Sequence, residues 1–465
     1  MRKPFINENF LLTNALAERL FHEVAATLPI IDYHNHLNPV HLAEDHQYSN
    51  ICQMWLAADP YKHRAMRING VPECFISGDA NDKEKFLKWA ETLTATLGGP
   101  LFHWSCMELR QVFGIDVILS PQNANEIWDE CNQRLANDDM GARSLLKRYK
   151  VETLCTSDDL LANLEIHKQV QEIEVLPSLR GDALLQVEAE GYLEMMNRLS
   201  EMTGINIASW DDCKTALSRR LDDFGQAGCV LADHSLDDGF DFVFASEAHA
   251  GRLFKSILAG EKPEPLEAMQ IKTALLFFLA GEYAKRGWVM QLHLGALRQT
   301  SSRLRKLAGT AGGYAGIGSP PSIATLVRFM DELEQQCLLP KTILYTLNPS
   351  YNEQLAVLTG SFSEDHVPGK IQLGPAWWFN DHFAGIRQHL QVLANYSLLS
   401  RFIGMTTDSR TVLSFSRHEY FRRILCNMLG EWVEQKLIPE DYSLLRELVE
   451  QISCKNIRNY LNKGK

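Results

Sequence analysis

The sequence predicts an α/β protein, a distorted (β/α)8 barrel of the TIM type with a helical insertion after its first strand. Three observations predict it. Short apolar runs that end in polar residues recur eight times along the chain. Helix-like segments separate most of them, which argues for parallel strands joined by crossover helices. One long stretch near the start lacks strand alternation altogether. A doubly wound open sheet is the alternative that the same alternation allows.

The elements follow in order. Thr13 or Asn14 can cap a first helix, with Leu16, Leu20 and Val24 on one face. The run from Leu28 to His36 is a short buried strand closed by His34-Asn35-His36. Residues 37–150 form the insertion. Phe86, Trp89, Leu93 and Leu97, then Met107, Leu109 and Val112, keep helical spacing there, punctuated by Gly98-Gly99-Pro100 and Ser120-Pro121. The stretch is too long for a loop within a compact domain. The expected organisation is one barrel domain over residues 1–465, interrupted by this subdomain. Seven further runs cover residues 151–159, 174–182, 228–234, 288–295, 342–349, 371–378 and 402–410. Between them lie Ala274-Leu275 with Phe278-Leu279, then Phe383, Ile386, Leu390 and Leu393, then Phe421, Ile424, Leu425, Met428 and Trp432 at helical spacing.

Composition narrows the function. A net charge of −12 opposes a nucleic-acid footprint, and an anionic ligand would need local arginines. The longest apolar run, Ala274 to Ala280, is far too short to cross a membrane. The first nine residues lack the apolar core of a signal peptide. The 10 cysteines are scattered, with no C-x-x-C pair, which suits free thiols in a reducing cytoplasm. The expectation is a cytoplasmic enzyme acting on a small molecule.

In such barrels the chemistry sits at the C-terminal ends of the strands. That rim would carry His34, His36, Asp158, Asp159, Arg180, Asp182, Asp233, His234, His293, Asn348, Trp377, Trp378, Asp408 and Arg410. His34 and His36 are two apart on a strand, so both imidazoles face one side. The first and last strands of a barrel are neighbours, so Asp408 can complete a site of two histidines and one carboxylate for a divalent cation. Capping of the next helix is the plainer role for Asp408. His293 is a further ligand, a substrate contact or a packed histidine. Arg180, Arg298 and Arg410 at or past strand ends suggest an anionic substrate. Arg64 and Arg67 read better as a solvated helix face. Tyr61 could fold over the rim as an acid or base, although spacing alone favours an ordinary packed tyrosine. Trp377-Trp378 is either a stacking wall or core. No lysine closes a strand, and the run over 342–349 ends in Asn348-Pro349, so a two-metal hydrolytic centre is poorly supported.

Several motifs then resemble one family. They are Ile31-Asp32-Tyr33-His34-Asn35-His36-Leu37, Leu292-His293-Leu294-Gly295-Ala296-Leu297-Arg298 and Gly374-Pro375-Ala376-Trp377-Trp378-Phe379. Thr407-Asp408-Ser409-Arg410 and the segment from Ser416 to Arg423 complete the set. Together they resemble the uronate (glucuronate) isomerases, a branch of the amidohydrolase superfamily, over essentially the whole chain. After Arg298 the chain has Gln299-Thr300-Ser301-Ser302, where that family often has an asparagine-rich turn. The resemblance implies an aldose–ketose isomerase that interconverts D-glucuronate with D-fructuronate, and D-galacturonate with D-tagaturonate, through an enediol(ate). It implies one divalent ion, Zn²⁺, on His34, His36 and Asp408 with His293 close by. Tyr61 or Asp408 would take the C2 proton, and Arg410 would stabilise the intermediate. Arg180, Arg298 and Asp233 would orient the sugar acid, with Trp377 and Trp378 against it. Family habit implies a homo-oligomer, a trimer or a dimer. The rival readings are a mononuclear metal-dependent hydrolase of the lactonase or deaminase type and a non-catalytic sugar-acid binder, which the mixed His, Asp and Arg rim disfavours.

Overall fold

The structure, a computed structural model, describes residues 4–461. Its strands are β1 (Ile30–Asp32), β2 (Val151–Cys155), β3 (Asp158–Asp159), β4 (Glu174–Leu176), β5 (Leu179–Arg180), β6 (Leu231–Leu236) and β7 (Val289–Leu294). β8 (Ala296–Leu297), β9 (Gly316–Ile317), β10 (Thr342–Thr346) and β11 (Ile371–Leu373) follow. One parallel sheet has the order β1-β2-β4, and a second has β11-β10-β7-β6-β5-β3. β2 and β3 are two pieces of one run, as are β4 and β5, so the two sheets share these runs and continue into each other. Backbone bonds span the breaks, from Thr156 N to Leu176 O and from Asp158 N to Ser178 O. β8 and β9 form a small antiparallel hairpin. The result is an α/β fold with a central, mostly parallel sheet and flanking helices.

Local chemistry explains the helices. α1 (Ala15–Glu23) starts at Asn14, whose side chain accepts from Ala17 N. Between β1 and β2 lie α2 (Pro39–Ala43), α3 (Ile51–Trp55), α4 (Pro60–Ile68), α5 (Asp82–Ala95), α6 (Pro100–Phe113), α7 (Ala124–Leu135) and α8 (Ala142–Arg148). α4 has Asp59 as its cap and Pro60 at its first position, where a missing N–H costs nothing. α5 carries a full capping box of Asn81 and Glu84. Phe86, Trp89 and Leu93 are wholly buried, but Leu97 falls beyond the end of α5 and is exposed.

The eighth run departs from expectation. Residues 402–410 are extended but form no regular strand. Gly404 sits at φ +82° and Asp408 at φ +47°, which breaks the ladder at both ends. A Cβ on Gly404 would collide with the Ile452 carbonyl oxygen. The segment nevertheless lies against the end of β1 and the residues that continue it. Asp408 N donates to His34 O, and His36 N donates to Ser409 O. Asp32, fully buried, accepts from Asn35 Nδ2, Thr406 Oγ1 and Thr407 N, and His418 Nε2 lies 2.9 Å away. Side chains replace part of the missing ladder. No helix among the described residues is long and apolar enough to cross a membrane.

Candidate active site

The C-terminal ends of the strands open onto a cavity. His34, His36, Arg180, Asp233, His293, Arg298, Trp377, Trp378, Asp408 and Arg410 all line it, and so does Tyr61 from α4. Every residue given a role in the reaction by the family resemblance is therefore brought together. Four other rim residues are engaged elsewhere. Asp158 accepts from Thr156 Oγ1, His234 meets the Tyr283 hydroxyl, Asn348 accepts from Ser350 N, and Asp159 accepts from Leu161 N. Asp182 holds Arg180, 2.8 Å from its Nε.

Asp408 is the hub. Its Oδ1 lies 2.9 Å from His36 Nε2 and 3.4 Å from His34 Nε2. Its Oδ2 accepts the indole N–H groups of Trp377 (2.8 Å) and Trp378 (2.6 Å). Both Asp408 and Trp378 have left-handed backbone, φ +47° and +46°. Such conformations cost about 1–3 kcal/mol each for non-glycine residues and persist only where the surroundings over-determine them. The four-donor clasp on one carboxylate does that here. Burial would raise the Asp408 pKa, but the bonds and charges of His34 and His36 outweigh it and hold the group well below the carboxylate range. Burial takes His36 down to about 4, against the pull of Asp408. His293 is also driven well below its usual value by burial and by the charge of His34. Its ring stacks on Tyr345 with centroids 4.4 Å apart.

These donors fit a divalent cation. Four ligands at ~2.05 Å in a tetrahedron are roughly 3.3 Å apart, and the two Asp408–histidine separations of 2.9 and 3.4 Å bracket that edge. Neutral imidazoles and an ionised carboxylate are the forms that bind metal; burial opposes charge on His34, but Asp408 and Asp233 outweigh it and raise its pKa, so binding there would displace a proton. His34, Asp233 and His293 make a second set whose donor atoms lie within 4.8 Å of one another, and it shares His34 with the first. His34 Nδ1 and His293 Nε2 are buried without a hydrogen-bond partner.

The three predicted arginines differ. Arg180 is tied to Asp182, and its Nη1 lies 3.4 Å from His36 Nδ1. Arg298 pairs with Asp237 (2.9 Å) and lies 5.1 Å above the Trp378 ring. Arg410 has neither an ion pair nor a hydrogen bond among the described residues. Its side chain is exposed to the cavity; partial desolvation there pulls its pKa down, the Asp408 carboxylate opposes this, and the charges of Arg180 and Arg298 push it down further. Three guanidinium groups thus converge, and one is uncommitted, which is the arrangement an anionic ligand completes.

The cover of the cavity departs from the sequence reading. Arg64 and Arg67 are not a solvated face. Arg64 donates to Ala315 O (3.0 Å) and lies 4.9 Å over the Phe379 ring. Arg67 donates to Gly312 O and pairs with Glu73. Thr310, Ala311, Gly313 and Ala315 line the cavity from this loop, and Ser235, Asp59 and Arg417 line it from below. Helical spacing does carry a signal for Arg64, since i and i+3 put it on the face of Tyr61. The loop carries no apolar period that could announce it. Arg417 is bound to Asp381 (2.9 Å) and to Thr407 O (2.5 Å), with its guanidinium 5.8 Å from the centre of the Tyr61 ring.

A family model described as glucuronate isomerase matches residues 1–461. The structure superposes on the uronate isomerase of Thermotoga maritima with a TM-score of 0.92 at 34% identity, covering 99% of this chain and 100% of that one. A glucuronate isomerase from Caulobacter crescentus gives 0.90 at 25% identity, over 100% of this chain and 98% of that one. For a uronate isomerase from Bacillus halodurans C-125 the values are 0.72 and 16%, over 97% of each chain, a likeness of fold.

Proposed function

The chain belongs to the glucuronate isomerase family and is a hexuronate isomerase; from that premise we propose how its cavity carries out the reaction. The observation that carries the proposal is the free Arg410 guanidinium beside an ionised Asp408 in a cavity with two other arginines. A hexuronate has a carboxylate at one end and the reacting C1–C2 pair at the other. Arg180 and Arg298, each steadied by its own carboxylate, orient the open-chain acid, with Asp233 and the Trp377–Trp378 wall on its hydroxyl face. Arg410 faces the oxygens of C1 and C2, where negative charge develops in the enediolate.

Two protons must move. One leaves C2 and returns to C1, and the other leaves the C2 hydroxyl and ends on the C1 oxygen. Asp408 is ionised and suits the carbon-bound proton. Burial pushes the Tyr61 phenol well above its usual pKa, against the nearby Arg417 charge, so it is a neutral donor and suits the oxygen-bound one. His34, His36 and Asp408 would hold one divalent ion, Zn²⁺ by donor type, with His293 beside it. When bound, that ion supplies Lewis-acid polarisation of the sugar oxygens. Sequential pairing of the strand runs, with residues 404–409 against β1, supports a distorted (β/α)8 barrel interrupted by the 37–150 subdomain. All ten cysteines are unpaired, which supports a reducing cytoplasmic setting.

The test is isotopic. With glucuronate deuterated at C2, ketose formation should lose at least part of the label to solvent, with solvent hydrogen appearing at C1. A coupled assay for the ketose runs in parallel. Complete transfer of deuterium from C2 to C1, with no exchange into solvent, would refute the proton-transfer scheme and favour a 1,2-hydride shift.

A further inference from the structure

Behind Tyr61, inside the helical insertion, lies a buried ionic cluster with no part in the chemistry above. Asp59, Lys62 and Glu108 are 5%, 1% and 1% exposed. Asp59 Oδ1 accepts the backbone N–H groups of Tyr61 (2.9 Å) and Lys62 (3.1 Å), and its Oδ2 accepts Lys62 Nζ (2.5 Å). Lys62 Nζ also lies 3.7 Å from Glu108 Oε2, which accepts the Trp55 indole N–H. The ammonium is boxed by the Trp55 and Trp89 rings at 5.4 and 6.0 Å.

This is more than a helix start requires. α2 and α3 in the same insertion are capped by Asn38 and Asn50 alone, with no buried cation. Burying three charges costs desolvation that their mutual attraction seldom offsets, so the cluster is a poor device for stability. What it does fix is Asp59, and Asp59 holds the backbone of Tyr61. That matters because the Tyr61 hydroxyl makes no hydrogen bond among the described residues. Its place over the cavity is set only by its backbone and by its ring, against Trp104 (6.0 Å, edge-on) and Arg417.

We propose that Lys62 and Glu108, acting through Asp59, are positioning residues that aim the Tyr61 hydroxyl at the substrate. The inference rests on the reading of Tyr61 as a proton-transfer group. Misplacing a catalytic group by ~1 Å can cost about 100-fold in rate. The cluster's loss should therefore lower kcat and leave KM nearly alone, since none of the three orienting groups touches it.

A double-mutant cycle on the metal-loaded enzyme tests this, with zinc per chain and Tm recorded for each variant. The variants are Tyr61→Phe, the pair Lys62→Met with Glu108→Gln, and all three together. The pair removes both charges at once, and Gln keeps an acceptor for Trp55. The pair should lower kcat about 10- to 100-fold. In the Tyr61→Phe background the same pair should change kcat by less than about 2-fold, because the group it aims is gone. An equal loss in both backgrounds overturns the inference, as a merely structural role would behave that way. Tyr61→Phe slow but the pair at wild-type rate also overturns it. Wild-type turnover by Tyr61→Phe overturns the reading of Tyr61 itself. If the pair does not fold, Glu108→Gln alone is judged by the same criteria.

Discussion

The two walls of the cavity are built differently. The strand-end wall takes His34, Asp233 and His293 from separate runs of the parallel sheet, and Asp408 from the segment laid against β1. His34, Asp233 and His293 are buried and Asp408 nearly so, and each is placed by a backbone that is itself paired on a neighbour. The opposite wall is α4 and the loop between β8 and β9. Here the contacts run from side chains to backbone carbonyls: Arg64 to Ala315 O, Arg67 to Gly312 O, Thr300 to Tyr314 O, and Tyr314 to Gly309 O. A wall fixed by sheet pairing loosens only with the sheet. A wall fixed by a few side-chain bonds can yield by itself. The first suits groups that must be held within a fraction of an ångström, and the second suits a cover past which substrate enters.

The contrast breaks first at Asp408, where the strand-end wall is concentrated. Asp408→Asn keeps the shape but removes the charge that His34, His36, Trp377 and Trp378 all address. Expected are a loss in kcat on the order of 10³-fold and a fall in divalent metal bound per chain, measured by steady-state assay and elemental analysis. Wild-type metal content in an inactive variant would separate the proton-transfer role from ligation. Arg410→Met comes next. It has no ion pair or hydrogen bond to lose among the described residues, so the fold should be untouched while kcat drops about 100-fold. Turnover near wild type would remove Arg410 from the reaction.

The same contrast explains what can be read from the residues alone. Each group of the strand-end wall closes an apolar run, and the period of two in a strand assigns its side. His34, His36, Asp233, His293, Arg298 and Trp377 are legible for that reason. The eighth run is legible as a place but not as a strand. Its left-handed turns at Gly404 and Asp408 come from contacts with Ile452 and with the four-donor clasp, which lie far off in sequence. Arg64 and Arg67 read as solvated because the bonds that tie them to the loop go to carbonyl oxygens, Ala315 O and Gly312 O, which every residue owns and no sequence marks. The loop over 310–315 is invisible for the same reason. Lys62 and Glu108 look like surface charges in the sequence, since burial of an ionic cluster depends on how α3, α5 and α6 pack around it.

The smallest expected effect falls on the cover, at Gly313. Its φ is +79°, and a Cβ there would collide with the Pro60 carbonyl oxygen at the start of α4. Gly313→Ala must therefore lift the loop from the helix that carries Tyr61 and Arg64. Left-handed strain alone would also destabilise it, so Gly309→Ala is the control. Gly309 has φ +71° but nothing within 4 Å of an added Cβ, so its substitution carries the backbone strain without touching α4. If docking of the cover matters, Gly313→Ala should lower kcat/KM about 10-fold, with Gly309→Ala close to wild type and the two Tm values alike. Because sheet pairing is untouched, the capacity to bind a divalent metal should not change in either. Equal losses in the two variants would mean that the loop's own conformation matters and its seat on α4 does not. The cover would then be as rigidly specified as the wall it faces.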